Sequence, residues 1–257
     1  MTPVPIILYG ATGRMGRAIR ASVPEFPDVE LFACVARSAD DIACPPGCLW
    51  LTPEDLAGGA YPDGAVVIDV SLAAGTASLL DWLEQAPRPL VSATTGLGDA
   101  EEERIRNLAK RAPVLRARNL SLGNSVALGM LRSVPGAASK HFEIDIVEHH
   151  HAAKRDAPSG TALAWGAILA SGGAGPLKAA ADPTKPRPPR EIRLHSIRSG
   201  SAVGTHRVLF AGAGETVEVV HTVSDRAVFA RGALRAASFL AGRAPGLYTL
   251  EQMLEGS

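Results

Sequence analysis

A short apolar run, Ile6-Ile7-Leu8-Tyr9, stops at Gly10-Ala11-Thr12-Gly13-Arg14-Met15-Gly16, and a helix-like stretch follows at once. Few architectures accept this order. Consecutive apolar residues suit a strand covered on both faces, as in a parallel sheet. Met15, Ile19 and Val23 then recur every four residues and set one apolar stripe against that sheet. Gly10 allows a tight turn, Gly13 a close backbone approach to a pyrophosphate, and Gly16 close packing of helix on strand. The helix start offers N–H groups and partial positive charge to phosphates. The spacing, G-x-x-G-x-x-G, is a variant of the usual dinucleotide fingerprint. Its place after the first strand favours cofactor binding over an ordinary strand–helix turn. Gly10, Thr12, Gly13, Arg14, Met15 and Gly16 are the expected contacts.

Further strands are expected at Val29–Val35, Val66–Val70, Pro89–Ala93 and Pro113–Ala117, with helices over Thr76–Glu84 and Asp99–Arg111. This alternation predicts an α/β fold, with a Rossmann-like, doubly wound parallel sheet over residues 1–121. The pattern changes after about Asn119. Ser125–Arg132 reads as a connecting helix, Glu143–Glu148 as a half-exposed strand, and the Gly- and Pro-rich stretch 172–190 as loop. Glu191–Ser196, Ala202–Phe210 and Thr216–Val223 read as antiparallel strands. A second, α+β domain with a mixed or antiparallel sheet is expected over 122–228. Helices at Arg231–Leu240 and Thr249–Leu254, in the segment 229–257, are expected to return to the first domain.

Charge narrows the partners. Lys and Arg total 26 against 26 Asp and Glu, so there is no electrostatic pull toward nucleic acid or an anionic membrane. With 46% hydrophobic and 20% charged residues, the chain is not a disordered tail protein. No apolar run reaches the about 18 residues a membrane span needs. Met1-Thr2-Pro3-Val4-Pro5 carries no secretory pattern, and Cys34, Cys44 and Cys48 form an odd, sparse set suited to a reducing compartment. A cytoplasmic protein is expected, with Cys44 and Cys48 as loop thiols rather than metal ligands. The second strand ends in Val35-Ala36-Arg37-Ser38, without the carboxylate that normally holds the ribose hydroxyls. Arg37 matches a ribose phosphate instead, so NADPH is expected to be preferred over NADH.

The densest chemistry lies between Glu148 and Leu163: EHHHAAKRDAPSGTAL. Consecutive histidines on a strand alternate faces, so one metal ion does not collect His149, His150 and His151, and no metal is expected. A proton donor beside a cation is the better reading, because imidazole titrates near neutral pH. Lys154 suits a carboxylate or a developing anion. Ser159 caps a helix whose first residues, Gly160 and Thr161, are placed to cradle a substrate carboxylate.

The stretch Glu148–Ala162 resembles the E-x-H-H-x-x-K-x-D-A-P-S-G-T-A motif of the dihydrodipicolinate reductase family, and Gly13-Arg14-Met15-Gly16 is similar to that family's opening loop. The likeness extends over the whole chain in length and order of elements. It implies a reductase of lysine and diaminopimelate biosynthesis that uses NADH or NADPH on a small dicarboxylate, works as a cytoplasmic homotetramer, and assembles through its second domain. By the same resemblance, His150 is the proton donor, His151 a substrate contact, Lys154 the catalytic lysine, and Gly160 with Thr161 the carboxylate-binding pair. Ala93, Thr94 and Thr95 fall in the threonine-rich turn near the nicotinamide, and Asn119 opens the hinge segment to Gly123. The chain departs from the family pattern at Ala93 (usually Gly), Val70-Ser71 (Phe-Thr), Leu120 (Phe) and Asn124-Ser125 (Val-Asn). Two alternatives stand beside this reading: another Rossmann-fold reductase of a carboxylated substrate, and a non-enzymatic NADPH-binding regulator. The second has no need of His150 and Lys154 together.

Overall fold

The computed structural model describes residues 2–38, 46–179, 184 and 186–256. Cys44 and part of the stretch 172–190 lie outside them. The chain divides into two compact units, residues 1–122 with 227–257, and residues 123–226.

The first unit holds seven parallel strands: β1 (Val4–Tyr9), β2 (Val29–Val35), β3 (Leu49–Leu51), β4 (Val66–Asp69), β5 (Leu90–Ser92), β6 (Pro113–Arg116) and β12 (Gly246–Tyr248). Their order is β12-β6-β5-β4-β1-β2-β3. Strand β1 therefore lies between β2 and β4, at the point where the winding reverses. Helices α1 (Arg14–Ser22), α2 (Ala73–Gln85), α3 (Asp99–Leu108), α6 (Ala227–Leu240) and α7 (Leu250–Glu255) complete the unit. The alternation along β1 explains its unbroken apolar run. Ile6 and Leu8 pack with Ile19 of α1 and Ala233 and Leu234 of α6, while Ile7 and Tyr9 pack with Leu79, Leu80 and Ile105 of α2 and α3. Both faces are covered, so neither can be polar.

The second unit has one mixed sheet, ordered β11-β10-β7-β9-β8. Its strands are β7 (Glu143–His150), β8 (Leu177–Ala179), β9 (Ile192–Arg198), β10 (Gly204–Ala211) and β11 (Thr216–Val223), and its helices α4 (Leu122–Arg132) and α5 (Gly160–Ser171). Only part of the expected antiparallel pairing is found. β10 is antiparallel to β7 and β11, but β9 runs parallel to both β7 and β8. Helix α5 carries the chain back after β7, so β8 starts from the same end of the sheet, and β9 follows in the same direction, which a tight hairpin from β8 would not allow. β8 lies within the stretch expected to be loop, and β3 and β12 were likewise not anticipated. Three-residue strands are too short to show a period.

One face of this sheet is packed. Ile144, Ile146, Ile192, Leu194, Val208 and Phe210 meet Trp165 and Leu169 of α5 and Ala127 and Leu131 of α4. Followed two residues at a time, the same face continues to Glu148 and His150 on β7, Ser196 and Arg198 on β9, and Gly204 and His206 on β10. The apolar face thus turns polar at one end, beside the start of α5.

Candidate active site

In the first unit, the residues expected to hold a cofactor stand at or after the C-terminal ends of adjacent parallel strands. Gly10 follows β1, Arg37 follows β2, Ala93–Thr95 follow β5, and Asn119 follows β6. In open α/β sheets this edge, at the reversal of winding, is where ligands bind. The turn is built by backbone. Gly10 has φ +89°, and a Cβ there would meet Ser71 Cα at 2.9 Å. A Cβ on Gly16 would stand 2.3 Å from the Gly10 carbonyl oxygen. Gly13, exposed, caps α1 without a side-chain hydrogen bond, and the first turn of α1 carries no acidic residue. A helix start with no side-chain cap and no acidic residue in its first turn fits a phosphate. Arg14 and Arg37 are exposed, whereas Thr12 and Met15 are half-buried. The Thr94 hydroxyl is buried and has no hydrogen-bond partner among the described residues, as a contact waiting for a polar ligand group would be. Asn119 Oδ1 accepts from the Ser121 N–H at 2.9 Å. The residues present therefore fit a dinucleotide.

Asp69, fully buried, supports this edge. It accepts from Ser71 N–H (3.0 Å), Ser71 Oγ (2.6 Å) and Thr76 Oγ1 (2.5 Å), and so fixes the backbone against which Gly10 turns. Tyr9 beside it is pushed up to about 12 by burial and by the Asp69 charge.

In the second unit the histidines separate as alternation demands. His149 turns to the other face and pairs with Ser199 Oγ at 2.8 Å, while His150 lies buried with Glu148. Glu148 Oε2 accepts a short hydrogen bond from His150 Nδ1. Its Oε1 accepts from Arg198 Nη2 at 2.7 Å and from the Ser159 N–H at 3.3 Å. Burial alone would raise this carboxyl, yet hydrogen bonds from Arg198 and Ser196 and the nearby positive charge hold it at about 2. Burial also acts on His150, lowering it against the opposing pull of Glu148. His206 is forced down to about 3, first by burial and then by the His150 charge, so it is neutral at working pH. Its Nε2 is hydrogen-bonded to Ser159 Oγ at 3.0 Å, and that oxygen caps α5 by accepting from Ala162 N–H.

Lys154 Nζ donates to Asp156 at 2.8 Å on a side chain largely exposed, an ion pair that an arriving carboxylate can replace. His151 is half-buried, and Gly160 and Thr161 occupy the first two positions of α5. The structure thus brings His150, Lys154, Gly160 and Thr161 into one unit, and the cofactor-side residues into the other. Glu148, His150 and His206 also place ligand atoms within 4.8 Å of one another. One oxygen of Glu148 is already held by Arg198, whose guanidinium would repel a cation there. This set suits a proton better than a metal ion.

Sequence reasoning did not assign roles to Glu148, Arg198 and His206. Glu148 was visible two residues before His150 on an alternating strand. Arg198 and His206 come from β9 and β10, and only strand register shows that they face it.

A parallel sheet with a glycine turn at its winding reversal, joined to a separate mixed sheet carrying a buried acid–base pair, defines a dinucleotide-dependent oxidoreductase of two units. Residues 4–120 match the family model for the dihydrodipicolinate reductase N-terminus, and residues 126–254 that for its C-terminus. The chain belongs to the dihydrodipicolinate reductase family. It is 37% identical to a 4-hydroxy-tetrahydrodipicolinate reductase of Rubrobacter xylanophilus, covering 99% of both chains. To that of Stenotrophomonas maltophilia it is 38% identical, again over 99% of both. Among solved structures, a dipicolinate-bound dihydrodipicolinate reductase from Paenisporosarcina sp. TG-14 shares the fold, with a TM-score of 0.78, 21% identity, and coverage of 98% of this chain and 99% of that one.

Proposed function

We propose that the chain catalyses the reaction for which its relatives are named: reduction of 4-hydroxy-tetrahydrodipicolinate with NAD(P)H, in lysine and diaminopimelate biosynthesis. When bound, the reduced nicotinamide supplies the hydride. Loss of the 4-hydroxyl and a neighbouring ring proton as water leaves a conjugated C=C–C=N system, which accepts the hydride at carbon, and His150 delivers the proton that balances the charge. Lys154 gives up Asp156 to hold a substrate carboxylate, with Gly160 and Thr161 at the start of α5 supporting it and His151 as a further contact. Placement and electrostatics carry this transfer. The observation that carries the reading is the buried Glu148–His150 pair beside Lys154 and the N-terminus of α5.

On the cofactor side, Gly10, Thr12, Gly13, Arg14, Met15 and Gly16 hold the pyrophosphate region. Arg37 takes a ribose phosphate, which favours NADPH over NADH. Ala93, Thr94, Thr95 and Asn119 attend the nicotinamide. The open face of the second unit's sheet, with Ile197 and Val220 exposed, supports assembly with further copies as a homotetramer. Localisation is read as cytoplasmic, in keeping with Cys34 and Cys48 as reduced thiols whose sulfurs stand 3.7 Å apart without a disulfide. Among the described residues no helix is long and apolar enough to cross a membrane.

The test is direct. Purified protein given the substrate, made freshly by the condensing synthase, should oxidise NADPH faster than NADH at equal low concentration. Folded protein that consumes neither cofactor overturns the activity; a lower Michaelis constant for NADH overturns the preference.

A further inference from the structure

The geometry points to Glu148, anchored by Arg198, and Gly204 as positioning residues that decide which nitrogen of His150 exchanges its proton. The inference rests on the reading of His150 as proton donor and assigns the residues around its ring a part in setting that proton.

Glu148 is fully buried and faces His150 Nδ1. An ionised carboxylate only accepts, so Nδ1 must carry hydrogen, and the proton that comes and goes sits on Nε2. Glu148 cannot swing away. Arg198 Nη2 grips its second oxygen at 2.7 Å and also donates to the Asp156 carbonyl at 2.5 Å, tying the carboxylate to the loop that carries Lys154. The Ser159 N–H adds a third hold from the start of α5. The other edge of the ring is set by an absence. A Cβ at Gly204 would lie 3.0 Å from His150 Nε2 and 3.3 Å from Cδ2, so a methyl there would press the ring by a few tenths of an ångström, and glycine leaves that nitrogen uncrowded. His206 closes the third side, edge to face at 5.1 Å.

The charged and titratable groups around the ring are thus Glu148 on its own strand, Lys154 and Asp156 on the following loop, Arg198 on β9, His206 on β10, and His221 behind it on β11. Glu148 favours the imidazolium, while Lys154 and Arg198 oppose it. Removing the Glu148 charge therefore makes His150 harder to protonate.

Three variants, Glu148→Gln, Gly204→Ala and His150→Gln, are compared by the pH profile of kcat/KM, the NADPH dissociation constant and 15N NMR of the histidine rings. In the parent protein the His150 spectrum should show a protonated Nδ1 at every pH and a titrating Nε2. In Glu148→Gln the fall of kcat/KM with rising pH should shift to lower pH, with about 10- to 100-fold lost at neutral pH. Gly204→Ala, an ordinary strand position, should lower kcat by about 10-fold or more with NADPH binding unchanged. His150→Gln separates the two levels of the argument. If it stays active, the reading of His150 fails. If it is inactive while Glu148→Gln keeps the parent pH profile, or Gly204→Ala keeps the parent kcat, the positioning roles fail alone. Should Glu148→Gln not fold, the parent ring spectrum and Gly204→Ala still decide.

Discussion

In the first unit the glycine turn is made of backbone: Gly10 turns against Ser71, Gly16 touches the Gly10 carbonyl, and α1 begins without a side-chain cap. In the second unit the chemistry is made of side chains. Glu148, His150, Arg198 and His206 arrive from three strands and meet on one face, largely shut off from water. The contrast matches the two tasks proposed for these sites. A pyrophosphate is large, fixed in charge and well served by N–H groups and a helix end. A proton donor must instead change charge, and its environment has to be tuned by neighbours of opposite effect. Hence the backbone site should lose binding when altered, and the side-chain site should lose rate.

The sharpest test of that division is His150→Gln. It should reduce kcat by about 10²- to 10⁴-fold while the NADPH dissociation constant stays unchanged. A shift in cofactor affinity would erase the distinction. Lys154→Ala comes next: loss of a charge-assisted contact should lower kcat/KM for the substrate by roughly 10- to 100-fold, with NADPH binding unchanged. A variant affecting only the cofactor would place Lys154 in the wrong half. On the backbone side, Gly16→Ala must push a methyl into a carbonyl, destabilising the turn by about 1–3 kcal/mol. It should weaken NADPH binding correspondingly, read by fluorescence titration.

Acid stability divides the units in another way. His206 has a folded pKa of about 3, below the ordinary histidine value of 6.5, so the native state binds fewer protons than the unfolded chain between those limits. Stability is intact above 6.5 and falls as the pH drops. At pH 4 the loss from this residue is about 3 kcal/mol. Glu148, held at about 2, adds to the loss below its ordinary value of 4.5. His206→Gln should flatten the decline in melting temperature between pH 7 and pH 4; an unchanged slope would remove His206 from the account. The smallest expected effect is at Ala93, where the family usually has Gly. Ala93→Gly should tighten NADPH binding by a few-fold, and an unchanged affinity would show that its methyl does not crowd the cofactor.

The glycine turn from Gly10 to Gly16 and the start of α5 after the run from Glu148 were legible because each is continuous in sequence. Strands of six or more residues with both faces covered, such as β1 and β2, announce themselves by composition. The three-residue strands β3, β8 and β12 do not, since their place is set by the neighbours they pair with. The reversal at β9 was hidden for a related reason: the direction of a strand depends on the connections that lead into it, not on its own residues. Asn124, a departure from the family pattern, shows the same limit. Its Oδ1 accepts from Trp165 Nε1 at 2.9 Å, so it satisfies a buried indole whose ring packs against His206.

By itself, then, the order of residues determined which groups are near one another along the chain: the glycines before α1, His150 two places from Glu148, Ser159 capping α5. Tertiary structure alone decided what surrounds them. The charge on an imidazole depends on burial and on groups some fifty residues away, Arg198 and His206 among them, and strand register brings those within hydrogen-bonding or ring-contact distance. Solvent exclusion and through-space charge act over distance in space, and sequence separation carries no record of either.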